Sequence, residues 1–441
     1  MRSSGSVDVL PLGVYPRPNP LPLSCMQRWW WELEQVSGPV SHTLSVLPLR
    51  GQLDYAAVDR TLGEVVRRNE VLRTRFTSAG GSVIPTIDPP ESFSPEFVDY
   101  SLFPEKSREA AVVELREQYR GKTYQLDGGA LFRMCLLKIE HNLHFIFIGA
   151  HHILLDGRSH EILHTQLRTL YAALAAGKRD LLPAPGYQFA DFAIWEQHWL
   201  RSEGSADHYS YWEERLRNIP PLELPGDFPR EQDRRGKTSS ARHAFEIRGP
   251  DLIALRELAR RCGTTLQVTL LSVYSLILSK WSGRAEFIVG NYMHCRDLPE
   301  LGQIAGCFAS NRPIHIEVAL GGGFIAHLKG VHRAFAAARD LRKPINLSLS
   351  WGKRLNAVII NFMKKSDNTP ASADLARFEP HDPKPVAHDL ALVLHETPAA
   401  LRVIVSYAAN LFLPERIEAF CEDFRSLAAA VSRDPEKASE H

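Results

Sequence analysis

The sequence predicts an α/β fold (mixed α+β), and three observations carry that prediction. Helical and strand signals alternate along all 441 residues. The run Leu143–Gly149 (LHFIFIG) is nearly continuously apolar, as a buried strand is. The stretch Asn218–Arg242 is rich in proline and charge and breaks the periodicity between two such regions. Two lobes follow, with the break between Gly177 and Asn218. Residues 1–180 make the first lobe, and residues 181–441 hold an inter-lobe segment and the second.

In chain order, Asp54 is placed to cap a helix whose apolar positions are Tyr55, Val58, Leu62, Val65 and Val66. After the strand Leu143–Gly149, helical spacing resumes from Ser159 to Ala175 and stops before Gly177. Beyond the break, helices are expected over Asp251–Cys262 and Thr265–Trp281, the second capped by its threonine. Strands are expected at Glu286–Asn291, Asn356–Phe362, Asp389–His395 and Leu401–Tyr407. A last helix opens at Pro414 and buries Ile417, Phe420, Phe424 and Leu427. No short repeat or low-complexity segment interrupts this order.

A formal net charge of +1 provides no global field for nucleic acid or an anionic membrane. The most charged stretch, Arg230–Lys237, mixes signs and reads as a solvated loop. The six cysteines are scattered without a CxxC pair, which suits reduced thiols rather than a disulfide framework or zinc site. Prolines interrupt the N-terminal stretch where a signal peptide needs an apolar core. The most apolar helical segment, Val268–Leu278, is too short to span a bilayer. On these features a cytoplasmic protein is expected.

The densest chemistry lies in AHHILLDGRS, Ala150–Ser159. A metal site could draw on His152 and Asp156, or on His160 and His164 four apart. Adjacent His151 and His152 must point in different directions, however, and no HExxH glutamate is present, so no metal is expected. A pair of hydrogen-bonded core histidines is the structural alternative. An acid–base site fits the residue types better, because imidazole titrates near neutrality and can accept a proton from an amine or hydroxyl. On that reading Asp156 holds the local geometry and Gly157 permits a tight backbone path.

HHILLDG resembles the HHxxxDG signature of nonribosomal peptide synthetase condensation domains, within the chloramphenicol-acetyltransferase-like superfamily. Further stretches match that family in order. LSCMQRWWWEL (Leu23–Leu33) resembles SxAQxRLWxL, and RRNEVLRTRF (Arg67–Phe76) resembles RHExLRTxF. YQFADFAIW (Tyr187–Trp195) is similar to YxDFAxW, and Tyr211–Arg230 resembles the inter-lobe segment. Ile288–Leu301 and Ile304–Ile314 match more loosely.

The resemblance implies two chloramphenicol-acetyltransferase-like lobes in a V shape with a central tunnel. It implies a donor thioester on the phosphopantetheine arm of a peptidyl or acyl carrier protein, and no bound cofactor. The acceptor is a small-molecule or carrier-bound amine or alcohol. His152 then deprotonates or orients the nucleophile, and the Gly157 N–H is a candidate oxyanion donor. Asp156 is expected to pair with Arg296, and His151 to point away from substrate. The chain departs from the family at Cys295, Ser310, Arg312 and His315, where glycine, asparagine, leucine and arginine are usual. LRKPINLSLSWG (Leu341–Gly352) stands where HQDVPFExL is usual.

A free-standing condensation enzyme forming an amide or ester is therefore expected. The alternatives are a coenzyme A-dependent acyltransferase of the same superfamily and a silent carrier-recruiting domain. Plant-type coenzyme A enzymes carry DFGWG near the C-terminus, which this sequence lacks. Silent domains typically lose signature residues, and here the set is complete.

Overall fold

A computed structural model describes residues 11–37, 42–121, 123–178, 182–230, 240–296, 298–318, 322–340, 357–364 and 388–436. In the N-terminal half, β1 (His42–Arg50) is followed by a separate hairpin of β2 (Thr74–Ala79) and β3 (Ser82–Ile87). Then come β4 (Glu96–Asp99), β5 (Phe132–Glu140) and β6 (Leu143–His151), which join β1 in a sheet of order β1-β6-β5-β4. Strand β6 lies between antiparallel neighbours on both sides. Its alternate residues enter different cores: Ile146, Ile148 and Ala150 one, Phe145 and Phe147 the other. Two buried faces explain why its sequence does not alternate with polar residues.

The C-terminal half forms a six-stranded sheet from β7 (Ser240–Arg248), β8 (Glu286–His294), β9 (Ala309–Glu317), β10 (Val358–Lys364), β11 (Leu390–Glu396) and β12 (Ala400–Ala408). The order is β7-β12-β11-β10-β8-β9, with β10 parallel to both its neighbours. Side chains from the helices Gly249–Arg261, Leu266–Ser282, Gly323–Asp340 and Pro414–Arg433 enter the same core as those of this sheet.

Most expected elements extend one or two residues beyond their sequence limits, and two caps fall where the sequence puts them. Asp54 accepts from the Ala57 N–H and Thr265 from the Val268 N–H. Two core assignments differ. Tyr55 is 42% exposed, because it occupies the first helical position and lies over the sheet edge beside Phe97. At the last helix Ala428 is buried while Leu427 is half-buried at the margin of the core. All six cysteines are free thiols. Among the described residues no single helix is long and apolar enough to cross a membrane.

The two large cores do not divide cleanly along the chain. Phe189, Phe192 and Trp195 belong to the first core, and Trp212 to the second. A division at residue 180 therefore leaves part of the first core on the C-terminal side. Between β8 and β9 the chain also leaves the second core, and Leu301, Ile304, Ala305, Cys307 and Phe308 are buried in the first. That excursion brings C-terminal residues to the end of β6.

Candidate active site

The site is built where one helix face and one helix N-terminus meet at the end of β6. The helix Cys25–Ser37 begins at a reciprocal cap. The Gln27 N–H donates to Ser24 Oγ at 3.1 Å, and the Ser24 N–H donates to Gln27 Oε1 at 3.0 Å. Four residues separate Trp30 from Glu34, so both lie on one face of this helix. That face meets the two histidines.

His151 is buried and fully bonded. The Ile153 N–H donates to its Nδ1 at 2.9 Å, and its Nε2 lies 2.7 Å from Glu34 Oε1. A nitrogen that accepts an N–H carries no proton, so His151 donates from Nε2 to Glu34. Its geometry is that of a clamp on the turn.

His152 contrasts with its neighbour. It is half-buried, and its ring stacks on Trp30 with centroids 4.7 Å apart and planes 19° apart. Its Nδ1 is buried without a hydrogen-bond partner. Burial pushes its pKa below the ordinary value, against weaker pulls from the carbonyls of His152 and Leu155 and from Asp156. The imidazole is therefore neutral at physiological pH.

Asp156 caps the helix Gly157–Ala175, which starts two residues before the position that periodicity predicts. Its Oδ1 accepts from the Ser159 N–H at 2.8 Å and Ser159 Oγ at 2.7 Å. Its Oδ2 accepts from the N–H groups of Phe308 at 3.1 Å and Ala309 at 3.2 Å. Arg296 Nη2 donates to Oδ1 at 3.0 Å, while Nη1 donates to the carbonyls of Leu301 and Ile304. The guanidinium also lies over the Phe308 ring, 4.1 Å from its centroid. Burial alone would raise the carboxyl pKa, but Arg296 and the Ser159 donors outweigh it and hold Asp156 below the usual carboxylate range.

Gly157 corrects the sequence reading. It does not have positive φ, and an added Cβ would meet nothing within 4 Å. The turn needs no glycine here because Gly157 is already the first helical residue. It is exposed at the helix N-terminus, where Asp156 occupies the Ser159 N–H but not that of Gly157. Gly306 is the position that needs glycine, since a Cβ there would lie 2.0 Å from Phe189 Cδ2.

His160 and His164 serve hydroxyls. His160 Nδ1 lies 2.7 Å from Ser45 Oγ and its Nε2 2.8 Å from Thr43 Oγ1, while His164 Nε2 lies 3.1 Å from Ser45 Oγ. Burial lowers their pKa values to about 3 and about 4. Among the described residues, Glu286, His315 and Glu317 form the one trio of close potential metal ligands, two exposed carboxylates and a half-buried imidazole at the far end of β8 and β9.

A condensation-domain family model matches residues 19–441, nearly the whole chain. The chain belongs to the condensation-domain family. It is 30% identical over 434 residues to phosphinothricin tripeptide synthetase PhsC of Streptomyces viridochromogenes, covering 94% of this chain and 39% of that protein. It is 28% identical over 452 residues to chondramide synthase cmdD of Chondromyces crocatus, covering 98% of this chain and 11% of that one. The chain thus spans well under half the length of these relatives. Among solved structures, the X-domain in complex with OxyB from teicoplanin biosynthesis aligns with a TM-score of 0.81 at 23% identity, covering 99% of this chain and 98% of that one. The first condensation domain of the calcium-dependent antibiotic synthetase aligns with a TM-score of 0.76 at 19% identity, covering 97% and 99%. These likenesses show that the chain has the chloramphenicol-acetyltransferase-like condensation-domain fold.

Within this condensation domain two of the unusual residues, Cys295 and Arg312, meet each other. Arg312 is 1% exposed and donates to Cys295 Sγ at 3.2 Å. Burial raises the Glu196 pKa to about 7, opposed by the Cys25 N–H, which donates at 2.5 Å, and by the Arg312 charge. Ser310 is buried, and His315 pairs with Glu286 at 2.9 Å. Residues 341–352 lie outside the described residues. Trp30, Glu34, Ser159 and Gly306 are site residues that sequence reasoning missed. Asp156 itself is a recognisable helix cap, but nothing local marks the Ser159 hydroxyl, whose partners include the distant Gly306. The tryptophan cluster Trp29–Trp31 reads only as core, and nothing local marks Gly306.

Proposed function

We propose that this condensation domain joins an acyl or aminoacyl thioester, held on the phosphopantetheine arm of a carrier protein, to an amine or hydroxyl nucleophile. The observation that carries this reading is His152: neutral, half-accessible and unbonded at Nδ1, between His151 and Asp156, whose side chains are both engaged. Its imidazole takes the proton of the attacking N–H or O–H as the new C–N or C–O bond forms. The Gly157 N–H, at a helix N-terminus, donates to the oxygen of the tetrahedral intermediate. As the C–S bond breaks, the proton passes from His152 to the departing thiolate, so the enzyme returns to its starting state. Asp156, Arg296 and His151 hold the turn and exchange no protons.

The acyl donor is the point where this reading parts from a coenzyme A enzyme. A coenzyme A donor demands cations or helix N-termini for its adenosine 3′-phosphate and diphosphate. The sequence has no glycine-rich phosphate loop, and its basic residues are interspersed with acids. The test offers the same acyl group on a phosphopantetheinylated carrier protein and on coenzyme A at equal concentration, with product followed by mass spectrometry. Faster transfer from the carrier is expected, and equal or faster use of coenzyme A overturns the reading. Carrier binding without product from either donor establishes a recruiting domain instead.

A further inference from the structure

We propose that Glu286, His315 and Glu317 bind one divalent transition-metal ion, Zn²⁺ by the chemistry of the donors, and that the ion clamps β9 to β8. The backbone brings the three side chains together. Glu286 and Glu317 are direct partners in the antiparallel register, and His315 stands opposite Ile288. Successive side chains of a strand point to opposite faces, so His315 and Glu317 share a face with Glu286. Beyond them the Val318 N–H donates to the Ala285 carbonyl at 2.7 Å, so the ladder continues and the backbone under the trio is held. One ligand atom of each residue lies within 4.8 Å of the other two.

The imidazole, rather than the two carboxylates, makes this a metal site. His315 is half-buried, and its Nε2 lies 2.9 Å from Glu286 Oε1 and 3.9 Å from Glu317 Oε1. Tetrahedral zinc, with ligands at about 2.0–2.1 Å, holds its donor atoms about 3.4 Å apart. The two distances bracket that separation, so small rotations of the exposed glutamates admit the ion. A carboxylate only accepts, so in the metal-free protein Nε2 carries a proton and donates it to Glu286. On binding, that proton leaves to solvent and the freed lone pair takes the metal. Opposed glutamates on neighbouring strands repel, and the ion offsets both charges. Imidazole with carboxylate suits Zn²⁺, whereas Mg²⁺ and Ca²⁺ take oxygen ligands. The arginine usual in the family at the position of His315 would supply a permanent cation there but no lone pair. Strand β9 is the edge of its sheet, paired with β8 alone, so an ion joining the two braces a strand held on one side. The trio lies at the opposite end of both strands from Ala309, whose N–H reaches Asp156, and so stands apart from the acyl-transfer site.

The experiment uses the full chain, stripped with a chelator and then freed of it, and titrated by calorimetry with Zn²⁺, Mg²⁺ and Ca²⁺ in turn. Melting temperature is followed with and without saturating Zn²⁺. Wild type is expected to bind one more equivalent of Zn²⁺ than His315→Arg or Glu317→Ala, and to melt higher when it is bound, as preferential binding to the folded state requires. His315→Arg keeps a cation between the glutamates, so without metal it should melt close to wild type. Glu317→Ala decides the matter if His315→Arg does not fold. Zinc stoichiometry equal in wild type and in either folded variant overturns the proposal, because the ion is then held elsewhere, for instance by the free thiols. Absence of zinc binding by wild type overturns it directly. Binding of Mg²⁺ or Ca²⁺ as tight as that of Zn²⁺ overturns the choice of metal, and zinc bound without a rise in melting temperature overturns the clamp. No acyl transfer enters the readout, so the result is independent of the role of His152.

Discussion

His152 and Asp156 stand four residues apart in one signature and are built in opposite ways. Asp156 is fully buried and accepts from two backbone N–H groups of the second half, one of its own helix, a serine hydroxyl and a guanidinium. His152 keeps contact with solvent and leaves a buried nitrogen unbonded. A saturated polar network fixes geometry, and a protonation change there would break several bonds at once. An unsaturated imidazole stores no such bonds and can change protonation during a reaction. The contrast separates scaffold from chemistry more clearly than the spacing HHxxxDG does.

The largest expected effect breaks the comparison at its reactive end. His152→Ala should lower turnover by roughly 10²–10⁴-fold with the melting temperature nearly unchanged. Near-wild-type turnover on a carrier-bound donor would sink the assignment. At the structural end, Asp156→Ala leaves Arg296 as a buried cation without its carboxylate. A loss of about 3–5 kcal/mol in urea denaturation is expected, with activity falling as a consequence. An equally stable Asp156→Ala protein would show that the pair holds nothing together.

The two glycines beside the network sharpen the contrast. Gly306→Ala forces a methyl into the Phe189 ring and should cost about 1–3 kcal/mol. Equal stability of that variant would mean that the crossing segment yields freely. A smaller effect is expected from acid. His160 has a folded pKa of about 3, below its ordinary value, so the unfolded chain takes up a proton that the folded chain refuses. Its contribution is intact above the ordinary value of about 6.5 and is lost progressively as pH falls toward the folded value. One pH unit below the ordinary value costs about 1.4 kcal/mol, seen as a lower urea midpoint that His160→Gln should flatten. An unaltered pH dependence in that variant would contradict it. The smallest effect belongs to Gly157→Ala, whose stability should stay within about 0.5 kcal/mol, since its Cβ has open space. Any loss of activity there reports on substrate rather than on the fold.

The sequence by itself determined the alternation of helices and strands, the caps at Asp54 and Thr265, the buried strand β6 and the motif at its end. These are local facts, carried by periodicity and by residues within a turn of one another. It also marked His152 and Asp156 as residue types suited to a site. Only the tertiary structure decided which of them is saturated and which is left open. Glu34 reaches His151 across 117 positions, and Phe308 reaches Asp156 across 152. Gly306 needs to be glycine only because Phe189 packs against it, and Trp30 differs from any core tryptophan only because His152 lies on its face. Hydrogen-bond saturation, burial and stacking depend on groups that meet only when distant segments pack, and no local pattern encodes that meeting.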